Sequence, residues 1–123
     1  MKIAISSQNQ DLKGTVDPRF GRTSGFIIYD LETNSFEYLQ NAQNLSLAQG
    51  AGIQTAQNVA KANVGAVITG HVGPKAYLAL NKGKIDMYLL PGDMAGATVE
   101  QAIEAFRQGK LEKAGGPDRD GHW

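Results

Sequence analysis

Residues 66–80 read Ala66-Val67-Ile68-Thr69-Gly70-His71-Val72-Gly73-Pro74-Lys75-Ala76-Tyr77-Leu78-Ala79-Leu80, and after a Lys- and Gly-containing turn comes Ile85-Asp86-Met87-Tyr88-Leu89-Leu90. Two short runs rich in β-formers enclose a segment that opens on Gly-Pro. Pro74 suits the first turn of a helix, and Tyr77, Leu78 and Leu80 form its apolar side. Strand, helix and strand in that order predict a parallel pair joined by a helical crossover. Pro91-Gly92 ends the second strand.

Upstream, Ile3-Ala4-Ile5 reads as a short buried strand. The polar segment from Ser7 to Ser24 has no clear period, and a loop of that length in a compact domain is commonly functional. Phe26-Ile27-Ile28-Tyr29 and Phe36-Glu37-Tyr38-Leu39 read as two strands of an antiparallel hairpin across the turn-rich Asp30 to Ser35. A polar, Gly-containing stretch from Asn41 to Gly52 leads into a helix from about Ala51 to Asn63, with Ile53, Ala56, Val59 and Ala60 on one face. Downstream, Thr98-Val99-Glu100-Gln101 matches a capping box with Thr98 as N-cap. Val99, Ala102, Ile103 and Phe106 follow at helical spacing, and Gly109 is the stop. From Ala114 the chain is a Gly-, Asp- and Arg-rich tail expected to be flexible, which leaves residues 1–113 as one domain.

The expected order is β-β-β-α-β-α-β-α, a five-stranded mixed α/β sheet with strand two antiparallel and helices on both faces. If strand one rises, strands three, four and five rise too. The loops Ser7 to Ser24, Asn41 to Gly52, Gly70 to Gly73 and Pro91 to Ala97 then share one edge. Open α/β sheets bind ligands outside the carboxyl ends of their strands, and this edge holds the glycine clusters.

The chain has 123 residues, 12 basic and 12 acidic side chains and no Cys. Thiolate-held iron–sulfur clusters, Cys zinc sites and thiol catalysis are excluded. Zero net charge gives no nucleic-acid footprint. No apolar stretch reaches the length of a membrane span, so the expected location is cytoplasmic.

Asp17-Pro18-Arg19-Phe20-Gly21-Arg22 sets two guanidiniums around an aromatic and a glycine, a combination suited to anions. Phe20 reads either as a cleft wall or as a core plug. Gly50-Ala51-Gly52 precedes a helix N-terminus and serves either anion contact or tight packing. It is neither a Walker A loop nor a complete G-x-G-x-x-G. His71 is a candidate metal ligand or a polar loop residue. Met94 offers a soft thioether or simply packs. No nucleophile–base pair stands out, and strand one carries no carboxylate, which argues against a two-metal hydrolase.

Met1-Lys2-Ile3-Ala4-Ile5, Asp17 to Arg22 before Phe26 to Asp30, Gly50-Ala51-Gly52-Ile53-Gln54-Thr55-Ala56, and Thr69 to Ala76 together resemble the dinitrogenase iron–molybdenum cofactor biosynthesis family, in its small orange-protein branch. The resemblance spans Met1 to about Leu111. It implies a ribonuclease-H-like three-layer fold without nuclease function, and noncovalent carriage of a sulfide-bridged molybdenum–copper cluster rather than catalysis. It also implies a P-loop ATPase of MinD or Mrp type as partner, with a regulatory interaction module as the competing reading. Such a cluster is anionic and brings its own sulfide ligands. The expected cofactor-binding set is Arg19, Phe20, Gly21, Arg22, Gly50, Ala51, Gly52, Gly70, His71, Val72 and Gly73, with His71 and Met94 as candidate metal ligands. Some nitrogenase-associated members carry His where this chain has Arg19. That difference favours electrostatic capture and leaves His71 as the nearest candidate ligand.

Overall fold

The computed structural model describes residues 1–41 and 51–114. Among them one sheet runs in the order β3-β2-β1-β4-β5-β6, built from β1 Lys2–Ser7, β2 Gly25–Asp30, β3 Phe36–Gln40, β4 Ala66–Thr69, β5 Asp86–Leu89 and β6 Glu112–Lys113. The helices are α1 Ala51–Ala60, α2 Pro74–Lys82 and α3 Val99–Arg107. β1 pairs antiparallel with β2 and parallel with β4, β2 pairs antiparallel with β3, and β4 pairs parallel with β5. The carboxyl ends of β1, β3, β4 and β5 therefore do share an edge.

Two apolar layers follow from the period-two alternation of buried strands. Ala4, Phe26, Ile28, Val67 and Met87 pack with Ala56 and Val59 of α1 and with Ala76 and Leu80 of α2. Ile3, Ile5, Ile27 and Ile68 pack on the other face with Val99, Ala102 and Ile103 of α3. None of the described helices is long and apolar enough to cross a membrane.

The expected five strands are corrected to six. Gly109 takes the left-handed conformation (φ 70°) after α3 and Leu111 is buried, so the chain turns back and lays Glu112–Lys113 antiparallel against β5. Both β6 side chains are exposed, so no hydrophobic alternation marks the strand. The Lys113 ammonium lies 3.1 Å from Asp86 Oδ1, and that hydrogen bond raises its pKa above the ordinary lysine value. Ala114, read as the start of the tail, donates its N–H to Met87 O at 2.8 Å. The tail beyond it lies outside the described residues.

Two helix faces are also corrected. Leu78 is 64% exposed, because α2 turns Ala76 and Leu80 inward at i and i+4. In α1, Ile53 and Ala60 are exposed and Thr55 is buried instead. Asn41 Nδ2 donates to Thr55 Oγ1 at 3.1 Å and to Thr23 O at 3.1 Å, while Asn58 Nδ2 donates to Asn41 Oδ1 at 2.9 Å. This buried polar network rotates the helix away from its apolar period.

The N-terminus of α3 is fully closed by the protein. Thr98 Oγ1 accepts from Gln101 N at 3.1 Å, and Gln101 Oε1 accepts from Thr98 N at 2.9 Å. Val99 N donates to Gly14 O and Glu100 N to Leu12 O, both at 2.9 Å, so the loop after β1 serves as a strap over the helix. Loss of an N-cap hydroxyl typically costs about 1 kcal/mol. Thr98→Ala is expected to lower the thermal midpoint by roughly 4 °C. An unchanged midpoint by circular dichroism would assign the helix start to the strap alone.

Candidate functional site

The segment 17–22 is pressed against the end of β4. Asp17 N donates to Ser6 O at 2.8 Å, and Phe20 N donates to His71 O at 3.2 Å. Arg19 and His71 pair side by side in parallel register. Pro18 covers Gly70 so closely that a Cβ on Gly70 would sit 2.9 Å from Pro18 Cα. Below this contact, Ser6 Oγ lies 2.6 Å from Asp17 O and 2.8 Å from Thr69 Oγ1.

Phe20 is 1% exposed, and its ring lies 5.4 Å from that of Phe26. Burying such a ring contributes about 1.5–3 kcal/mol, enough to pin the short 3₁₀ turn Phe20–Arg22 on the core. Arg19 and Arg22 flank the plug and both are exposed. Phe20 is thus mainly core, with one side reaching the surface cleft.

That cleft encloses ≈ 440 Å³ and lies between the 3₁₀ turn and the N-termini of α1 and α2. Arg19, Phe20, Gly21, Arg22, Gly52, His71 and Gly73 all line it. Pro74, Lys75 and Ala76 complete it and fall outside the set expected from the sequence. The signal for Lys75 is legible, since it is the second residue of a helix opening on Gly-Pro. Two guanidiniums, an ammonium and an imidazole thus meet above a mainly apolar floor. Among the described residues no carboxylate side chain lines the cleft.

The α2 end of the cleft is open where α3 is closed. Its N-cap is Gly73, which has no side chain to cap with, and Pro74 follows. Tyr77 N already bonds Gly73 O at 2.9 Å, so Lys75 and Ala76 are the N–H donors without a partner inside the helix. Among the described residues a Cβ on Gly73 would meet nothing within 4 Å, and its φ of −71° suits any residue. Neither crowding by the described residues nor backbone strain requires glycine there.

The other expected residues fall elsewhere. Gly70 is needed under Pro18. Val72 is 1% exposed and packed in the α1/α2 core layer. Gly52, which lines the cleft, also allows α1 to approach α2, since its Cβ would lie 3.2 Å from Ala76 Cβ. Ala51 is the first residue of α1, and Gly50 lies outside the described residues. Met94 packs with the α3 layer on the other face of the sheet and lines separate depressions with Asp93 and Gln101. Among the described residues no group of three or more His, Asp or Glu is assembled around a metal position.

Comparison with known proteins places this geometry. The family described as dinitrogenase iron-molybdenum cofactor matches residues 1–109. An uncharacterized protein of Methanocaldococcus jannaschii is 33% identical over 116 residues, covering 92% of this chain and 91% of its own. The apo form of the orange protein from Desulfovibrio gigas superposes with a TM-score of 0.90 at 42% identity, over 95% of both chains. A Thermotoga protein named as a NifB candidate superposes with a TM-score of 0.78 at 34% identity, over 91% of both. With the family matched over nearly its whole length, the chain belongs to the dinitrogenase iron-molybdenum cofactor family.

Proposed function

We propose that this protein is a non-catalytic carrier for an anionic metal–sulfide cluster, of molybdenum–copper type, seated noncovalently in the cleft between Arg19, Arg22, His71 and Lys75. The observation that carries the reading is the convergence of these cationic side chains on the N-terminus of α2, which no described side chain caps, around a glycine whose Cα has open space among the described residues. Fixed guanidiniums and helix N–H groups are the donors an anion needs. The mainly apolar floor strengthens each of those interactions by excluding water. A cluster whose metals are already held by sulfide requires no thiolate from the chain, and the chain has no Cys.

The likeness to the orange protein and the family match support cluster carriage. The molybdenum–copper content, the ribonuclease-H-like reading of the sheet and a MinD- or Mrp-type ATPase as delivery partner come from the family resemblance, the cytoplasmic setting comes from the hydropathy of the sequence, and all belong to the same proposal.

Anaerobic titration with tetrathiomolybdate and copper tests it. A saturable chromophore should co-elute with the protein on gel filtration at fixed metal stoichiometry. Removing both Arg19 and Arg22 by substitution with Ala deletes two charge-assisted contacts, at about 1.5 kcal/mol each, and should weaken binding roughly 100-fold. Unchanged affinity in the folded double variant would exclude electrostatic capture.

Gly73→Ala gives an independent check. The added methyl has room among the described residues and fits the backbone, so the melting temperature should hold. A ligand approaching the α2 terminus should be displaced, with about a tenfold loss of affinity for a disrupted charge-assisted contact. Full affinity in this variant would move the ligand away from Gly73.

A further inference from the structure

Asp17 is a buried carboxylate beneath a cleft of cations. It is 2% exposed overall, and its side chain is fully covered. Among the described residues its carboxylate meets only donors. Oδ1 accepts from Arg19 N at 2.9 Å and lies 3.5 Å from Arg19 Nε, while Oδ2 accepts from Gln8 Nε2 at 3.0 Å. Burying a carboxylate is unfavourable, and placing one under an anion site weakens the site by direct repulsion. A residue that opposes binding by its charge needs a compensating role.

The geometry supplies one, and we propose that Asp17 is the positioning residue that orients Arg19 for anion capture. By holding the backbone N–H and Nε of Arg19, it fixes where the guanidinium stem leaves the loop and turns the two terminal nitrogens to the cleft. An arginine side chain that is 59% exposed would otherwise sample many rotamers, and ordering it in advance reduces the entropy lost on binding. Lysine has no counterpart of Nε: its three donors share one rotating nitrogen, so holding that nitrogen does not aim a separate pair of donors as it does in the planar guanidinium. This inference rests on the cleft being the anion site.

The experiment is a double-mutant cycle between Asp17→Asn and Arg19→Ala, read as tetrathiomolybdate affinity under anaerobic conditions. Asn retains an oxygen for the Arg19 N–H but removes the charge behind the ion pair that holds Nε, and Gln8 can rotate its amide to present its oxygen. Deleting a negative charge should by electrostatics alone tighten anion binding. Loss of positioning predicts the opposite sign, a weakening of about tenfold, the worth of one charge-assisted contact. In the Arg19→Ala background the same change should not weaken binding at all.

Equal or tighter binding by Asp17→Asn overturns the proposal. So does an equal weakening in both backgrounds, which would make Asp17 a scaffold residue only. Arg19→Lys keeps the charge at an exposed position and tests the same point should Asp17→Asn fail to fold. It should bind nearly as weakly as Arg19→Ala, and near-parental affinity overturns the proposal. Absence of thiometallate binding by the unaltered protein would overturn the carrier reading itself, and this inference with it.

Discussion

The contact between Pro18 and Gly70 governs the functional edge of this molecule. A Cβ at position 70 would lie 3.0 Å from the Pro18 carbonyl oxygen as well as 2.9 Å from its Cα, and backbone atoms cannot step aside as a flexible side chain can. Only glycine lets the loop after β1 lie flat on the end of β4. From that contact follow the Phe20 N–H bond to His71 O, the insertion of the Phe20 ring and the outward placement of Arg19 and Arg22. The charges of the cleft are therefore positioned from below, by apolar burial and backbone pairing. The scaffold holds them close without requiring them to attract one another.

The helix termini show the same division between closed and open. Strap carbonyls and a reciprocal cap satisfy the first-turn donors of α3, which leaves that end inert. At α2 the chain supplies a glycine and a proline where a capping side chain would stand. Orphan donors at a helix end are tolerated where water or a ligand reaches them. Between the strand ends and the loops lies a belt of buried polar residues that includes Ser6, Asp17, Thr23, Asn41, Thr55 and Thr69. Its hydrogen bonds hold the loop starts to the sheet, so the glycine-rich edge rests on a satisfied polar layer.

Much of this was readable in the residues. The strand–helix–strand segment from Ala66 to Leu90 determined the β4–β5 parallel pair, and the direction of each strand gathered the described loops after β1, β4 and β5 on one edge. The capping box of α3 was legible because it is a local reciprocal hydrogen bond. What escaped depends on partners distant in sequence. β6 exists because Leu111 finds the core and β5 has a free edge, and neither fact leaves a period in a two-residue strand. The inward turn of Thr55 needs Asn41, 14 residues away, to satisfy it. Val72 and Gly70 share a motif with His71 and Gly73, yet one fills the core and the other admits Pro18. A motif marks a place in the chain, and its members divide between structure and binding only once the facing segment is known.

Asp17 shows why the charge balance of a site cannot be read from its lining alone. The lining is cationic, while the layer beneath contains a carboxylate whose field opposes the ligand. A purely additive site would have dispensed with it. Arginine, however, offers five donors in a planar fork, and a fork held at Nε aims its terminal nitrogens in a way a free one does not. On the carrier reading proposed above, a large anion that spreads its charge over several sulfides would engage Arg19, Arg22, Lys75 and the α2 terminus together, and gain more from several donors than it loses to one buried charge. Selection for a polyvalent anion over a simple one then follows from the arrangement of the donors, without any side chain that recognises a particular metal.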